Sequence, residues 1–468
     1  MQKQYYQLSS FRAVILGIAM SVTAAAAGQG NTSARLTVAQ AVESAIRNYP
    51  SITVSQEQIN AAAAAIDLAR TAYLPRIDSI AQVNRATRNN VFGLLLPQGI
   101  IPSISGPVIG SNNFGTVWGS AVGALVTWEP FDYGLRRASV SAATASRTRS
   151  EATLKRTQFD VAVATADAYL TMAAAQETVR AAQAGVDRAQ VLAQIVRAQA
   201  DAQLRPGADA SRAEAELAAA RTQLVQAQQA EAVARALLAQ FLGVQPQQIT
   251  LSAPKLVQLP QDQPVAPLDP VQNPVVTEQN AVVEQKKAEL QILEKSYFPR
   301  FFAQGSAYAR GTGAQLDGTR LGGLNGLAPD TQNYALGFSV TFPVFDLPSI
   351  HARKAVQSAT IRAETARYQQ ITTDLTARWN AAVAALDGSR RVAANTPVEV
   401  SAADTANQQA SARYQAGLGT IVEVADAQRL LTQAEIDDAL ARLGVWRALL
   451  GVAAADGDIQ PFLDGASQ

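Results

Sequence analysis

The sequence predicts a mainly helical fold with an internal two-fold repeat, in which a few strands close a transmembrane β-barrel only by joining those of other copies. Three observations carry this. The stretch Tyr414-Gln415-Ala416-Gly417-Leu418-Gly419-Thr420 has an earlier counterpart, Gln203-Leu204-Arg205-Pro206-Gly207-Ala208-Asp209, at an offset of about 214 residues. An Ala-rich run with helical composition leads into each stretch and a second leaves it. Each leading run is preceded by two segments in which apolar and small or polar residues alternate, the period of a strand.

Composition narrows the function classes. The chain has 468 residues, no cysteine, one histidine (His351) and a formal charge of +1. Disulfides, thiolate metal sites and a lipid anchor on an N-terminal cysteine are therefore excluded, and His-based zinc or triad chemistry has no material. No basic patch recommends a nucleic-acid partner. No nucleophile–base pair, phosphate loop or metal cluster stands out, so the chain is read as a non-enzyme without cofactor. Residues 1–27 read as an export signal: Lys3 and Arg12 flank its start, Ala13 to Val22 are apolar, and Ala25-Ala26-Ala27 supply small residues for cleavage. Its removal takes the charge to about −1. No later run is long enough for a membrane-spanning helix, so entry into a bilayer requires a barrel.

Residues 36–244 form the first repeat. Leu36 to Asn48 is a short helix, and Ser51 to Tyr73 a second, ended by Pro75. A strand follows at about 76–88, with Ile77, Ala81 and Val83 on one parity and Asp78, Gln82 and Asn84 on the other. The Gly-, Pro- and Asn-rich stretch to Thr116 is a loop, whose apolar part at 91–109 has no assigned role. The strand at 117–131 places Trp118, Val122, Ala124, Val126 and Trp128 on one face and small residues on the other. Its tryptophans, ten positions apart, would be separated by roughly 25 Å along a membrane normal, the height of a barrel's apolar band. A soluble sandwich strand with two large core residues would carry the same pattern.

Gly134 to Gln203 is one helix approaching roughly 100 Å in length. The return helix, Asp209 to Leu242, keeps Leu217, Leu224 and Leu238 in heptad phase with Ala220, Ala227 and Ala234, a coiled-coil seam interrupted at a solvated Glu231. The proline-rich stretch 245–274 is an extended connector. Residues 275–452 repeat the order: a helix to Tyr297, strands at about 300–310 and 333–344, a long helix from Ser349 kinked near Pro397, the second tip, and a return helix from Ile421; 453–468 form a tail. Asp132 and Asp346, at matching Phe-Asp turns, are expected to cap the long helices. At the second tip the glycines permit a sharp reversal, and Thr420 and Glu423 have capping-box spacing.

With the repeat, the Tyr-x-Pro-Arg turns at 73–76 and 297–300, and Tyr-Gln-Ala-Gly-Leu-Gly-Thr-Ile-Val-Glu-Val-Ala-Asp-Ala-Gln at 414–428 in hand, the chain resembles the TolC family of outer-membrane efflux and secretion channels over nearly its whole mature length. The resemblance implies a homotrimer in the bacterial outer membrane, four strands per protomer in a twelve-stranded barrel, and a periplasmic helical tunnel with an equatorial belt. It implies a passive duct, in a tripartite efflux or type I secretion system, partnered by a periplasmic adaptor and an inner-membrane pump. A periplasmic coiled-coil adaptor or scaffold is the alternative reading; an adaptor would need lipoyl-like segments and a single hairpin.

The same resemblance implies site residues. Glu423 and Asp426, three apart on one helix face, match acidic positions ringing the periplasmic aperture; the plainer reading makes them a cap and a solvated face. Asp209 and Tyr414 match residues that hold the closed tips through polar links between hairpins. The family's arginine at the position of Gly419 is missing, with Arg205 or Arg413 as substitutes. Leu204, Gly417 and Leu418 match tip residues gripped by adaptor hairpins, against a reading of both leucines as helix-end packing. Trp118, Trp128, Tyr334 and Phe342 are expected at the membrane interfaces, with the even-numbered faces of their strands against outer-membrane lipid. His351 is assigned no chemistry.

Overall fold

A computed structural model describes residues 35–87, 115–253, 255–262, 264–315 and 319–467. The expected export signal and the apolar loop at 91–109 lie outside these residues. Most of the described chain is helix. After a short strand β1 (Arg35–Leu36) come α1 (Val38–Asn48) and α2 (Pro50–Thr71). Strands β2 (Arg76–Thr87) and β3 (Thr116–Phe131) precede the long hairpin of α3 (Leu135–Asp201) and α4 (Gly207–Leu242). Strand β4 (Thr250–Leu251) lies in the connector. The second half runs α5 (Pro274–Lys295), β5 (Arg300–Thr312), β6 (Thr331–Thr341), α6 (Leu347–Gln415), α7 (Ile421–Asp456) and α8 (Gln460–Ser467). At 67 and 69 residues, α3 and α6 are each about 100 Å long. Helix α6 continues through Pro397 without interruption.

The four long strands form one antiparallel sheet, β2-β3-β5-β6. Its register joins the parities expected from the sequence. Ile77 pairs with Val126, Val126 with Gly305, and Gly305 with Leu336, so the alternating apolar residues expected of β2, β3 and β6 share one face. On that face Tyr334 and Leu336 are 83% and 84% exposed. The other face carries Asp78, Gln304, Ser306 and Asn333. The small residues of β3 there have a packing reason: Gly123 lies opposite Tyr308, and a Cβ on it would stand 2.3 Å from the tyrosine Cβ. Strand β6 stops at Thr341, three residues short of expectation. Pro343 has no N–H to offer the ladder, and Val344–Asp346 form a 3-10 turn, leaving Phe342 just past the strand, exposed.

Below the sheet, the expected seam of α4 is present and regular. Ala213, Leu217, Ala220, Leu224, Ala227, Glu231, Ala234 and Leu238 are buried or half-buried at alternating spacings of four and three. Glu231 is a correction: it sits in the seam, 17% exposed, because Arg235 and the Gln176 amide of α3 accompany its carboxylate inward. Near the middle of α3, helices α1 and α8 and part of the connector pack on the long helices. The connector is not simply extended: β4 pairs in parallel with β1, and the Tyr169 hydroxyl of α3 lies 2.8 Å from Leu36 O and 3.0 Å from Ser252 O. Burial pushes that phenol above the ordinary tyrosine range, though its hydrogen bond acts the other way. The main core is here, with Val38, Ala41 and Val42 of α1 against Tyr169, Leu170, Leu238, Trp446 and Phe462.

Candidate functional site at the hairpin tips

Both long hairpins end at one pole of the molecule, and their backbones turn in the same way. In the second tip Ala416 N donates to Ala412 O, Gly417 N to Tyr414 O, and Leu418 N to Arg413 O (2.9 Å). In the first, Ala202 N donates to Ala198 O, Gln203 N to Ala200 O, and Leu204 N to Gln199 O (2.8 Å). The turn needs one left-handed residue. Gly417 supplies it at φ 77° without strain; Gln203 supplies it at φ 59° against the clash of its own Cβ. Gly419 serves space rather than φ, since a Cβ there would meet Arg413 Cβ, Tyr414 N and the Glu423 carboxylate at 3.3 Å.

Thr420 accepts a hydrogen bond from Glu423 N, so the expected cap forms, while the Glu423 carboxylate lies by the Thr420 hydroxyl and 3.9 Å from Arg413 Nε. Asp426 pairs with Arg429, which also reaches toward Glu216 of α4. Glu423 and Asp426 share an exposed face of α7, half or so accessible. Asp209 lies in the first turn of α4, where the helix dipole favours a carboxylate.

The two tips are tied together within one chain. Arg205 of the first tip donates from Nη2 to Tyr414 O at 2.7 Å and lies over the Tyr414 ring at 4.6 Å. Tyr414 is 2% exposed, packed with Leu192, Val196, Ile421 and Val424. Its hydroxyl has no hydrogen-bond partner, so the expected polar link does not run through the phenol of a single chain. Burial raises its pKa, the Asp209 charge adds to this, and Arg205 acts in the opposite sense. Both arginines near the tips are therefore engaged: Arg205 with Tyr414, Arg413 with Glu423. Spacing allows the i,i+3 pair of Arg429 with Asp426, but not the approach of Arg429 to Glu216, which comes from another helix. Leu204 and Leu418 are each 74% exposed, which rules out helix-end packing inside this chain for either.

Away from the tips, Trp128 and Trp118 stand toward opposite ends of β3. The Trp128 indole donates to Tyr73 O at 3.2 Å on the helix side, and the Arg85 guanidinium lies 5.3 Å from the Trp118 ring at the far end. The sheet joins α3 through a buried ion pair. Asp132 accepts from Gly134 N, Arg136 N (2.7 Å) and Arg136 Nε (2.9 Å), and Arg136 also donates to Ala72 O and covers Tyr73. Burial pushes the Asp132 carboxyl up, but these hydrogen bonds and the Arg136 charge outweigh it and hold it below the ordinary carboxylate range. Asp346, expected to cap α6 in the same manner, does not: the 3-10 turn runs straight into the helix, and its side chain accepts no capping bond.

The model of a family described as outer membrane efflux protein matches residues 41–244 and 271–458. Among solved structures the fold is similar to the Campylobacter jejuni CmeC outer membrane channel, at 16% identity over 90% of this chain and 85% of that one, TM-score 0.70. It is similar to the Vibrio cholerae outer membrane protein VceC, at 16% identity over 90% and 96%, TM-score 0.68. It is also similar to the open state of the Neisseria gonorrhoeae MtrE outer membrane channel, at 19% identity over 90% and 89%, TM-score 0.66. No curated protein matches the sequence significantly. The family model covers both repeats, and the chain belongs to the outer membrane efflux protein family.

Proposed function

We propose that three copies of this chain form a passive export duct: a twelve-stranded barrel in the outer membrane continued by a periplasmic tunnel of helices. The observation that carries this reading is the sheet. Among the described residues its order leaves β2 and β6 as free edges and its apolar face open. An unpaired edge is not tolerated against lipid, and neighbouring copies can pair β6 of one with β2 of the next until the barrel closes. The apolar face then meets lipid, with Trp118, Trp128, Tyr334 and Phe342 toward its rims, and the polar face lines the lumen. Among the described residues no helix is long and apolar enough to cross a membrane, which leaves the sheet as the element for that task.

At the other pole, Glu423 and Asp426 of three copies give a ring of carboxylates at the periplasmic aperture, while Asp209 and Tyr414 hold the tips. Leu204, Gly417 and Leu418 face outward and receive the hairpins of a periplasmic adaptor, which couples the duct to an inner-membrane pump. That pump provides the energy for exporting small molecules or polypeptides. Close carboxylates attract cations. In planar bilayers the wild type therefore conducts cations in preference to anions and is blocked by a trivalent cation, and the double variant Glu423→Gln/Asp426→Asn loses most of the block. Block that is unchanged in the double variant would remove the aperture role from these residues.

A further inference from the structure

The apolar face of the sheet is irregular at both ends, and the irregularities mark depth. At the end far from the helices, the chain between β5 and β6 folds back over this face. Gly311 pairs with Ser120, on the side of Val122; a Cβ on it would stand 2.1 Å from Ala328 O and 2.8 Å from Gly326 O. A Cβ on Gly326 would stand 2.2 Å from Trp118 O. Residues 324–328 are therefore a strap lying on the face proposed to meet lipid. At the helix end, a bulge between Trp128 and Phe131 sets Phe131 opposite Phe301, and Tyr133, left-handed at φ 51°, places its ring 4.6 Å from Phe131 and 5.0 Å from Phe298. Irregular backbone is not tolerated against lipid tails, so the strap belongs at headgroup depth. From Val122 to Phe131 the strand then covers roughly 23 Å along the membrane normal at a tilt near 40°, close to the height of a barrel's apolar band.

Trp118 lies beyond Ser120 and so among the headgroups. Arg85 is its partner across the β2–β3 ladder, on the same face. The Arg85 guanidinium lies 5.3 Å from the Trp118 ring, and its Nε donates to the Thr116 hydroxyl at 3.0 Å. Among the described residues its terminal nitrogens have no partner. On the other side of Trp118, Gly313 N donates to Trp118 O at 2.8 Å, Leu321 N donates to Gly313 O at 2.8 Å, and Arg320 bridges Ala314. Two arginines thus flank Trp118, and Leu321 and Leu324 beside them are 39% and 72% exposed. Among the described residues at this end the one carboxylate, Asp330, bonds the Thr331 hydroxyl, whose ladder partner Arg310 belongs to the polar face. A guanidinium held flat over an indole presents planar donors that suit a phosphate. The leaflet opposite the periplasmic helices is, in a bacterial outer membrane, built of phosphorylated glycolipid. We infer that this end of the face binds the headgroup of that glycolipid, with Arg85 and Arg320 on its phosphates and Leu321 and Leu324 on its acyl chains. The inference rests on the barrel reading and adds a ligand to it.

The test is native mass spectrometry of the full chain released from detergent, with diphosphoryl lipid A as probe and its dephosphorylated form and phosphatidylglycerol as comparisons. The wild type is expected to hold diphosphoryl lipid A about tenfold or more tightly than either comparison lipid. The double variant Arg85→Gln/Arg320→Gln is expected to lose that preference, and Arg391→Gln, at an exposed arginine of α6, to keep it. Equal affinity for phosphatidylglycerol would leave a general anionic-lipid surface and overturn the glycolipid assignment. Equal affinity for the dephosphorylated lipid, unchanged binding in the double variant, or the same loss in Arg391→Gln would overturn the arginine site. The masses in the same spectra report the oligomer separately. A monomer that keeps phosphate-dependent binding would count against the duct and support the site, whereas a trimer without such binding would remove the site and leave the duct.

Discussion

The first and second halves of this chain share a backbone and differ in what holds it. At the sheet-to-helix junction the first half buries the Asp132–Arg136 pair, with side chains 8% and 9% exposed; the second half has Ile350 in the place of Arg136, equally buried, and an Asp346 that caps nothing. At the tips the first half bends through Gln203 and sends Arg205 across, and the second bends through Gly417 and receives that arginine on Tyr414. Duplication therefore preserved the positions where the chain turns. It did not preserve the means: one junction is electrostatic and the other apolar, and one tip is a donor and the other an acceptor. A turn requires a backbone conformation, which several side chains can satisfy at different cost, whereas an ion pair requires two particular partners at once.

The largest expected effect is at the junctions. Arg136→Ala strands a buried carboxylate and should cost about 3–5 kcal/mol in urea unfolding of the detergent-solubilised protein. Ile350→Ala removes only packing, about 2–4 kcal/mol. The two are separated by pH. Because the folded Asp132 carboxyl lies below its unfolded value, its contribution is present above about pH 4 and is lost as pH falls through the lowered folded value. The deficit of Arg136→Ala relative to wild type should shrink on acidification, and that of Ile350→Ala should not. Equal pH profiles for the two variants would erase the distinction between the junctions.

Next is the bridge between the tips. Arg205→Ala removes a charge-assisted hydrogen bond and a cation–π contact, about 1–3 kcal/mol, and hydrogen exchange should rise in both tips rather than in the first alone. The smallest effects are conformational. Gly417→Ala should cost about 1–2 kcal/mol, while Gln203→Gly should stabilise its tip by about 1 kcal/mol or less, since the left-handed strain it removes is partly offset by glycine's greater freedom when unfolded. If Gln203→Gly destabilises, the Gln203 side chain has a role that its exposed position does not reveal.

Much of this was legible in the sequence because it depends on period and punctuation. The alternation in Tyr334, Leu336, Phe338 and Val340 is the exposed face of β6; Pro206 and Gly417 mark the reversals; the Leu and Ala phase of α4 is its seam. What sequence reading missed depends on partners far apart in the chain. Glu231 looks solvated until Gln176 is placed beside it, and Tyr169 looks like any helical tyrosine until Leu36 and Ser252 converge on its hydroxyl. Asp346 copies Asp132 in sequence, yet a 3-10 turn after Pro343 removes the geometry that capping needs. At the tips, the family resemblance pointed to Glu423, Asp426 and Tyr414, and Arg205 entered as one of two nearby cations; only the fold sets Arg205 against Tyr414.

The central claim is that the open sheet closes only in a trimer within the outer membrane. The most direct measurement is the fractionation and unheated gel mobility of the mature protein. The account predicts an outer-membrane species that migrates as a trimer unheated and as a monomer after boiling. A soluble monomer or dimer in the periplasmic fraction would contradict it and leave a coiled-coil scaffold in its place.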